Sequence, residues 1–364
     1  MPYLSLKANN LGINYIGMKN INKKINILHL IPCNVKGGVE VGALRAKKDL
    51  NKKFNYRVKF IYRAKDNKLK KLIKGFFNIF YLIKITNKND KTVLISSIWQ
   101  SHILAFIVNL LQKKLIWISF IHNTNYPSFI NKIVCNKITL FSNQIIFDSE
   151  SSALTFYKKK YNNKNNIIHF YFKDYKFPKF NIKKWKKRKI DFITVARNIN
   201  QKGFFELEKF CINSLKNLNY IPKILIITDN LYNEVNLIKM KKKLNQKFNI
   251  NIKMNLKNSK VLYYMTQSKY YFCLSKYEGF GATIAEALKS GCFILTTNVG
   301  EQKNYLYSNR KYILRDINNS INFKKIITKA DNFSYYNRSI IFFEKKVSFY
   351  TDKMEQFIST LKFN

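Results

Sequence analysis

Acidic side chains are scarce in this 364-residue chain: 20 Asp plus Glu stand against 66 Lys plus Arg, for a formal net charge of +46. No Asp-x-Asp occurs anywhere, so a pair of neighbouring carboxylates suited to hold Mg²⁺ is missing and no metal is expected. The five cysteines, Cys33, Cys135, Cys211, Cys273 and Cys292, are odd in number, widely spaced and without a CxxC pair, which argues against a zinc site or a disulfide framework and fits a reducing, cytoplasmic compartment. Long apolar runs are also lacking. The nearest, residues 93–111, is interrupted by Gln100, Ser101 and His102 and closed by Gln112-Lys113-Lys114, so it reads as a strand followed by a helix. Residues 1–24 have no continuous apolar centre and read as a polar tail, not a signal peptide.

What is present points to a globular protein. A hydrophobic share of 46% and an aromatic share of 15% supply the buried surface that disordered chains lack. The length suits two domains of roughly 150 to 200 residues. The positive field would attract a polyanion, nucleic acid or anionic lipid, although the joint abundance of Lys, Asn and Ile is also what AT-rich coding produces. The charge is uneven: residues 45–91 carry 16 basic and three acidic side chains, a density that marks a candidate membrane or acidic-ligand face. No zinc module, RNP-like aromatic motif or helix-turn-helix supports a nucleic-acid binding protein, the alternative that the charge alone suggests.

The first strand, residues 25–32, leads at once into a Gly-rich loop and a helical pattern, NVKGGVEVGALRAKKDL. A second strand at 57–62, a basic aromatic helix at 69–85 and further strand-helix alternation through QIIFDSES follow. Such alternation predicts a parallel sheet covered on both faces. Residues 179–189, with Trp185 in the run KKWKKRK, read as a linker, after which the pattern restarts at DFITVARN. The expected organisation is a tail at 1–24, a first Rossmann-like domain at 25–178, a second at 190–339 and a terminal helix at 340–364, with Phe343, Val347, Tyr350, Met354 and Phe357 near one face.

The most informative segment is YEGFGATIAEALKSGCFILTTNVG, residues 277–300. A strand ends, Gly279 and Gly281 turn the chain, and a helix opens near Ala282. Its unpaired amides form a site for phosphate oxygens. Glu278 and Glu286 can border one cleft, and a carboxylate that accepts two adjacent hydroxyl protons is suited to sugar or ribose.

These residues resemble family 4 of the retaining glycosyltransferases, whose hallmark is two glutamates separated by seven residues within EGFGxxxxEAL. The resemblance extends from Ile25 to about Leu306 and implies a GT-B fold: two Rossmann-like domains facing across a cleft, with the C-terminal helix crossing back to the first. It implies that the second domain binds a nucleotide-sugar donor, with no other cofactor, through Gly37, Gly38, Arg197, Lys202, Gly279, Phe280, Gly281, Ala282, Thr283 and Glu286. The first domain would hold a glycan or lipid-linked acceptor. Catalytic roles fall on His122, Glu278, Arg197 and Lys202, the cations stabilising the departing diphosphate. Asp148-Ser149-Glu150 match the family's strand-end serine, where helix capping serves equally well.

Two positions depart from the pattern: Glu301 and Asn304 stand where a second glycine and a later glutamate are frequent, and Ala282-Thr283 replace leucine-proline. The family's habits imply bacterial surface polysaccharide synthesis, such as lipopolysaccharide, O-antigen or capsule, with no nucleic-acid partner, and the basic helix at 69–85 with the lysines before it suits peripheral docking on anionic lipid at the inner membrane face. A catalytically idle GT-B partner subunit is the other alternative, against which both glutamates, Arg197 and Lys202 speak.

Overall fold

The structure, a computed structural model, describes residues 25–363 apart from 36, 88–90, 113, 123, 127, 159–165, 174–176, 178–181, 216–217, 230–233, 246, 307–312 and 315–332. The expected tail at 1–24 and the first part of the expected linker lie outside the described residues.

Five strands, β1 (Asn26–Cys33), β2 (Asn55–Tyr62), β3 (Thr92–Ser97), β4 (Ile116–Ile121) and β5 (Gln144–Phe147), form a parallel sheet in the order β2-β1-β3-β4-β5. Parallel strands need crossovers, and helices α1 (Gly38–Leu50), α2 (Lys68–Asn87), α3 (Trp99–Leu111), α4 (Phe129–Asn136) and α5 (Glu150–Tyr157) punctuate them. Side-chain alternation gives the sheet two covered faces. Leu28, Leu30, Leu94 and Trp117 pack under α2 and α3, whereas Ile27, Val93, Ile95 and Ile118 pack under α1 and the end of the chain. The apolar stretch at 93–111 is β3 and α3, and no helix among the described residues is long and apolar enough to cross a membrane.

After α6 (Ile182–Lys186), strands β6 (Ile190–Val195), β7 (Lys223–Thr228), β8 (Asn249–Met254), β9 (Ser268–Cys273), β10 (Phe293–Thr297) and β11 (Ile313–Leu314) build a second parallel sheet, ordered β11-β10-β9-β6-β7-β8. Its helices are α7 (Phe204–Phe210, continued by a π turn to Leu215), α8 (Glu234–Leu244), α9 (Asn258–Thr266), α10 (Ala282–Lys289) and α11 (Gln302–Tyr305). The KKWKKRK run is docked onto this sheet. Trp185 is 2% exposed, with its ring against Tyr270 and Phe293, and Arg188 donates to the carbonyls of Ser268, Ser290 and Gly291 at 2.6 to 2.9 Å.

The tail that reads as one helix is two, α12 (Phe333–Lys346) and α13 (Tyr350–Ser359). The break has a cause: Phe349 is extended, and the Tyr350 N–H donates to the Tyr171 carbonyl at 2.7 Å instead of continuing a helix. Phe343 and Val347 stay in the second core, while Tyr350, Met354, Phe357 and Ile358 join the first. The chain thus crosses back between two Rossmann-like layers, the GT-B architecture that the resemblance implies.

Candidate functional site

The carboxyl ends of the two sheets meet, as ligand sites in open parallel sheets do. From the second sheet, β9 ends at Cys273 and the 274–281 loop leads into α10. Gly281 caps that helix with φ +74°, a left-handed conformation that L side chains rarely adopt. The amides of the first turn, at Ala282 and Thr283, have no intrahelical acceptor and the helix dipole adds positive potential there.

Glu278 lies just before this turn. Its Oε1 accepts from Lys202 Nζ at 2.6 Å and from Ser275 Oγ at 2.6 Å. Lys202 reaches it from the 3₁₀ turn after β6, and the turn is set by Gly203 at φ +74°, where any Cβ would run into the Leu274 carbonyl. About one turn along α10, Glu286 faces inward and is 6% exposed. Its Oε1 accepts from the Arg45 guanidinium at 3.2 Å, a bond that joins α10 to α1 of the first sheet. Burying a carboxylate requires such a partner. Tyr271, fully buried beneath the loop, is pushed far above the ordinary phenol range by burial and by the thiol of Cys273.

Gly37 is the N-cap of α1, and the Glu40 carboxylate folds back over it onto the space that a Cβ would occupy. Gly38 faces open space. Glu40 is 5% exposed; burial pushes its carboxyl up, while the charges of Arg197 and His122 act the other way. Arg197, at the end of β6, therefore sits within electrostatic reach of the first lobe's loop, and it makes no ion pair with the described residues.

His122 closes β4. Its ring stacks on Phe170 with centroids 5.0 Å apart, and Nε2 is hydrogen-bonded with Ser97 Oγ at 3.0 Å. Ser97 Oγ also holds His29 Nε2 at 2.7 Å, and His29 Nδ1 lies 2.7 Å from the Tyr56 hydroxyl. His122 Nδ1 is 3.5 Å from Asp148 Oδ2 and has no hydrogen-bond partner among the described residues. Burial, and then the charge of His122, lowers His29 and His102 to about 3, so both are neutral at physiological pH.

The lobes touch at Gly279. A Cβ there would stand 2.5 Å from Asp148 Oδ2 and 2.5 Å from the His122 carbonyl oxygen. Alongside, Thr124 Oγ1 donates to the Glu278 carbonyl at 2.6 Å and the Phe280 N–H points at Asp148 Oδ2 at 3.4 Å. The Phe280 ring is buried against His169 and Tyr305, so this residue offers the cleft its backbone only. Ser149 is an N-cap, accepting from the Ser152 N–H at 3.1 Å. Glu301 crosses from the second lobe to the start of α5, where its Oε2 accepts from the Ser151 N–H at 2.9 Å; burial pushes its carboxyl up.

The structure thus brings Lys202 onto Glu278, sets Gly279 against the His122 carbonyl and places Glu286 on Arg45. Sequence reasoning did not find Glu40, Arg45, Ser97 or Thr124. Glu40 alone had a local signal, its place three residues after Gly37 in GGVE. Among the described residues no group of three or more His, Cys, Asp or Glu is placed to hold a metal ion.

Residues 176–332 match the sequence model of the family described as Glycosyl transferases group 1, a span that includes Arg197, Lys202, Glu278 and Glu286. No curated protein gives a significant sequence match. Among solved structures, the chain is similar to Anabaena Alr3699/HepE in complex with UDP and glucose, with TM-score 0.68 and 14% identity over 93% of this chain and 100% of that one. It is similar to a glycosyltransferase from Rickettsia africae, with TM-score 0.66 and 15% identity over 94% and 100%. A third likeness is to S. aureus TarM in complex with UDP, fondaparinux and an α-GlcNAc-glycerol, with TM-score 0.61 and 16% identity over 79% of this chain and 58% of that one. At such identities these likenesses establish a shared GT-B fold.

Proposed function

We propose that this protein is a retaining glycosyltransferase of the family 4 kind, which moves a sugar from a nucleotide diphosphate donor to a glycan or lipid-linked acceptor. The observation that carries this reading is the Lys202–Glu278–Ser275 cluster at the open end of α10, with buried Glu286 eight residues after Glu278 and Arg197 after the neighbouring strand β6. The UDP complexes of fold relatives at low identity supply the ligand class, and uridine is the first base to test.

In this reading the donor diphosphate lies on the amides of 282–283 between Arg197 and Lys202. Cleavage of the bond from the anomeric carbon to phosphate oxygen leaves negative charge on the diphosphate, and fixed cations and amides stabilise it without a metal. Lys202 exchanges its bond to Glu278 for a phosphate oxygen, which frees Glu278 to accept from sugar hydroxyls. Glu286, oriented by Arg45, accepts from the ribose. No carboxylate is assigned as a nucleophile, so the acceptor attacks on the face from which the diphosphate departs, and the departing phosphate takes its proton. His122 lines the reacting side. Bacterial surface polysaccharide synthesis is the setting we infer, on the strength of the sequence resemblance.

The test is a panel of UDP-, GDP- and ADP-sugars scored for binding and slow hydrolysis, with Glu286→Ala and Arg197→Ala as controls. One donor class should bind and be hydrolysed with retention of anomeric configuration by NMR, and both substitutions should weaken it. A donor signal indifferent to both would refute the assigned cleft, and inversion would refute the mechanism.

A further inference from the structure

Helix α2 buries Leu82 against the first core but turns its aromatic side chains outward. Its core-facing stripe includes Asn78 and Thr86, buried at 7% and 9% exposure, and Asn78 Nδ2 must donate to the carbonyls of Ile61 and Lys74 to be accommodated. Its outward side carries Leu72, Phe76, Phe77 and Phe80 at 56 to 72% exposure. A helix selected only to cover a sheet would place phenylalanine inward and asparagine outward.

The feature continues beyond α2. Helix α2 packs on α3, and α3 packs on α4 and on the 138–141 turn, so these elements form one layer over the first sheet. Of the 22 large apolar side chains exposed among the described residues, 14 fall between residues 69 and 141, including Phe129 at 76% and Phe141 at 64%. Exposed apolar side chains gathered on neighbouring helices mark an interaction surface. The same stretch of sequence, residues 67–147, contains eleven lysines and one acidic residue. Lys68, Lys70, Lys84, Lys132 and Lys137 are exposed on these elements, around the aromatic side chains.

We propose that the outer surface of the α2–α3–α4 layer docks on an anionic lipid bilayer, with the phenylalanines entering the headgroup boundary and the lysines held at the phosphate level. The chemistry selects this occupant. Aromatic and aliphatic side chains interleaved with lysine are the composition of an interfacial surface. A second copy of the same face would oppose lysine with lysine, and a nucleic acid would leave the leucines and phenylalanines in water. This docking uses no residue of the cleft, and it stands or falls separately from the transfer reaction.

The experiment is co-sedimentation of the full chain with vesicles of phosphatidylcholine alone or with about one quarter phosphatidylglycerol, without donor. Binding is expected on the anionic vesicles and much weaker on the neutral ones. Lys68→Gln/Lys70→Gln/Lys84→Gln should lower the partition coefficient on the order of a hundredfold, about fivefold for each lysine near the surface. Phe76→Ser/Phe77→Ser/Phe80→Ser should lower it at least about tenfold. Phe129→Ser/Ile130→Ser on α4 gives the same readout from a separate element, and all are exposed positions whose melting should follow wild type. Equal binding to both vesicle types would overturn the proposal. So would wild-type partition in the three variants, or a wild-type dimer that the α2 phenylalanine variant makes monomeric with vesicle binding unchanged.

Discussion

Gly279→Ala should disable the proposed sugar transfer while leaving the protein folded. The added Cβ would stand 2.5 Å from the His122 carbonyl oxygen and 2.5 Å from Asp148 Oδ2, and neither can retreat. The first is backbone at the end of β4. The second is on a carboxylate fixed by Ser149 Oγ at 2.9 Å and Ser152 Oγ at 2.7 Å. Ordinary contact begins at 3.4 Å, so the lobes must separate by about 0.9 Å at this point. A misplacement of about 1 Å between reacting groups costs on the order of a hundredfold, and kcat/KM should fall by that amount. Stability should change little. The contact at risk is the Thr124 bond to the Glu278 carbonyl, about 1 kcal/mol, and that is about 1 to 2 °C in Tm for a chain of 364 residues. Gly281→Ala is the contrasting variant. Its backbone is left-handed, which costs about 1 to 2 kcal/mol, while the nearest atom to the new Cβ is the mobile tip of Ile284 at 3.2 Å. It should melt earlier and lose less activity. Steady-state kinetics and thermal melts on both variants decide the matter: Gly279→Ala with kcat/KM within about twofold of wild type, or with a loss that merely tracks melting, refutes close approach of the lobes as the reason for this glycine.

Three further outcomes are expected. Arg45→Ala should raise the donor KM about tenfold with a smaller change in kcat, since it removes the 3.2 Å charge-assisted bond that orients Glu286; calorimetric titration with the donor found in the panel gives the same ratio independently. Lys202→Met should lower kcat by about a hundred- to a thousandfold, read in single-turnover assays, because the proposed reaction puts this Glu278-bound cation on the departing diphosphate. Folding stability should decline as pH falls below 6.5: burial lowers His29 and His102 to about 3 and His169 to about 4, so the unfolded chain binds protons that the fold refuses, and at pH 5 each costs about 2 kcal/mol. Glu40 and Glu301, pushed up by burial, oppose this trend, so the difference between wild type and His102→Asn in urea titrations at pH 7 and 5 isolates one histidine's share; an unchanged pH slope in the variant contradicts the assignment.

The legible parts of this protein were those with local patterns. EGFGATIAEAL announces its own geometry, for a glycine that must turn left-handed, a helix start and an inward glutamate all lie within eleven residues. The strand-helix alternation similarly fixed two parallel sheets. What escaped depends on partners far away in the chain. Arg45 finds Glu286 across 241 positions and Thr124 finds Glu278 across 154, and nothing near either residue marks it. The terminal helix was misread for a related reason. Phe343, Val347, Tyr350, Met354 and Phe357 keep helical spacing through a break imposed by the Tyr171 carbonyl. The aromatic residues of α2 were visible as a helix, but their outward direction was not, because periodicity gives the angle between stripes and leaves open which stripe meets the sheet.

The crossing of residues 350–358 onto the first sheet has a bearing on biosynthesis. Domains fold in the order in which they leave the ribosome, yet here the earliest sheet to emerge still lacks Tyr350, Met354, Phe357 and Ile358 from its core. A groove with Tyr56, Ile118 and Phe120 along its floor stays open to water until translation of the second sheet is over. The lobe that begins folding first is thereby finished last, roughly 200 residues and about 10 to 40 seconds of translation later.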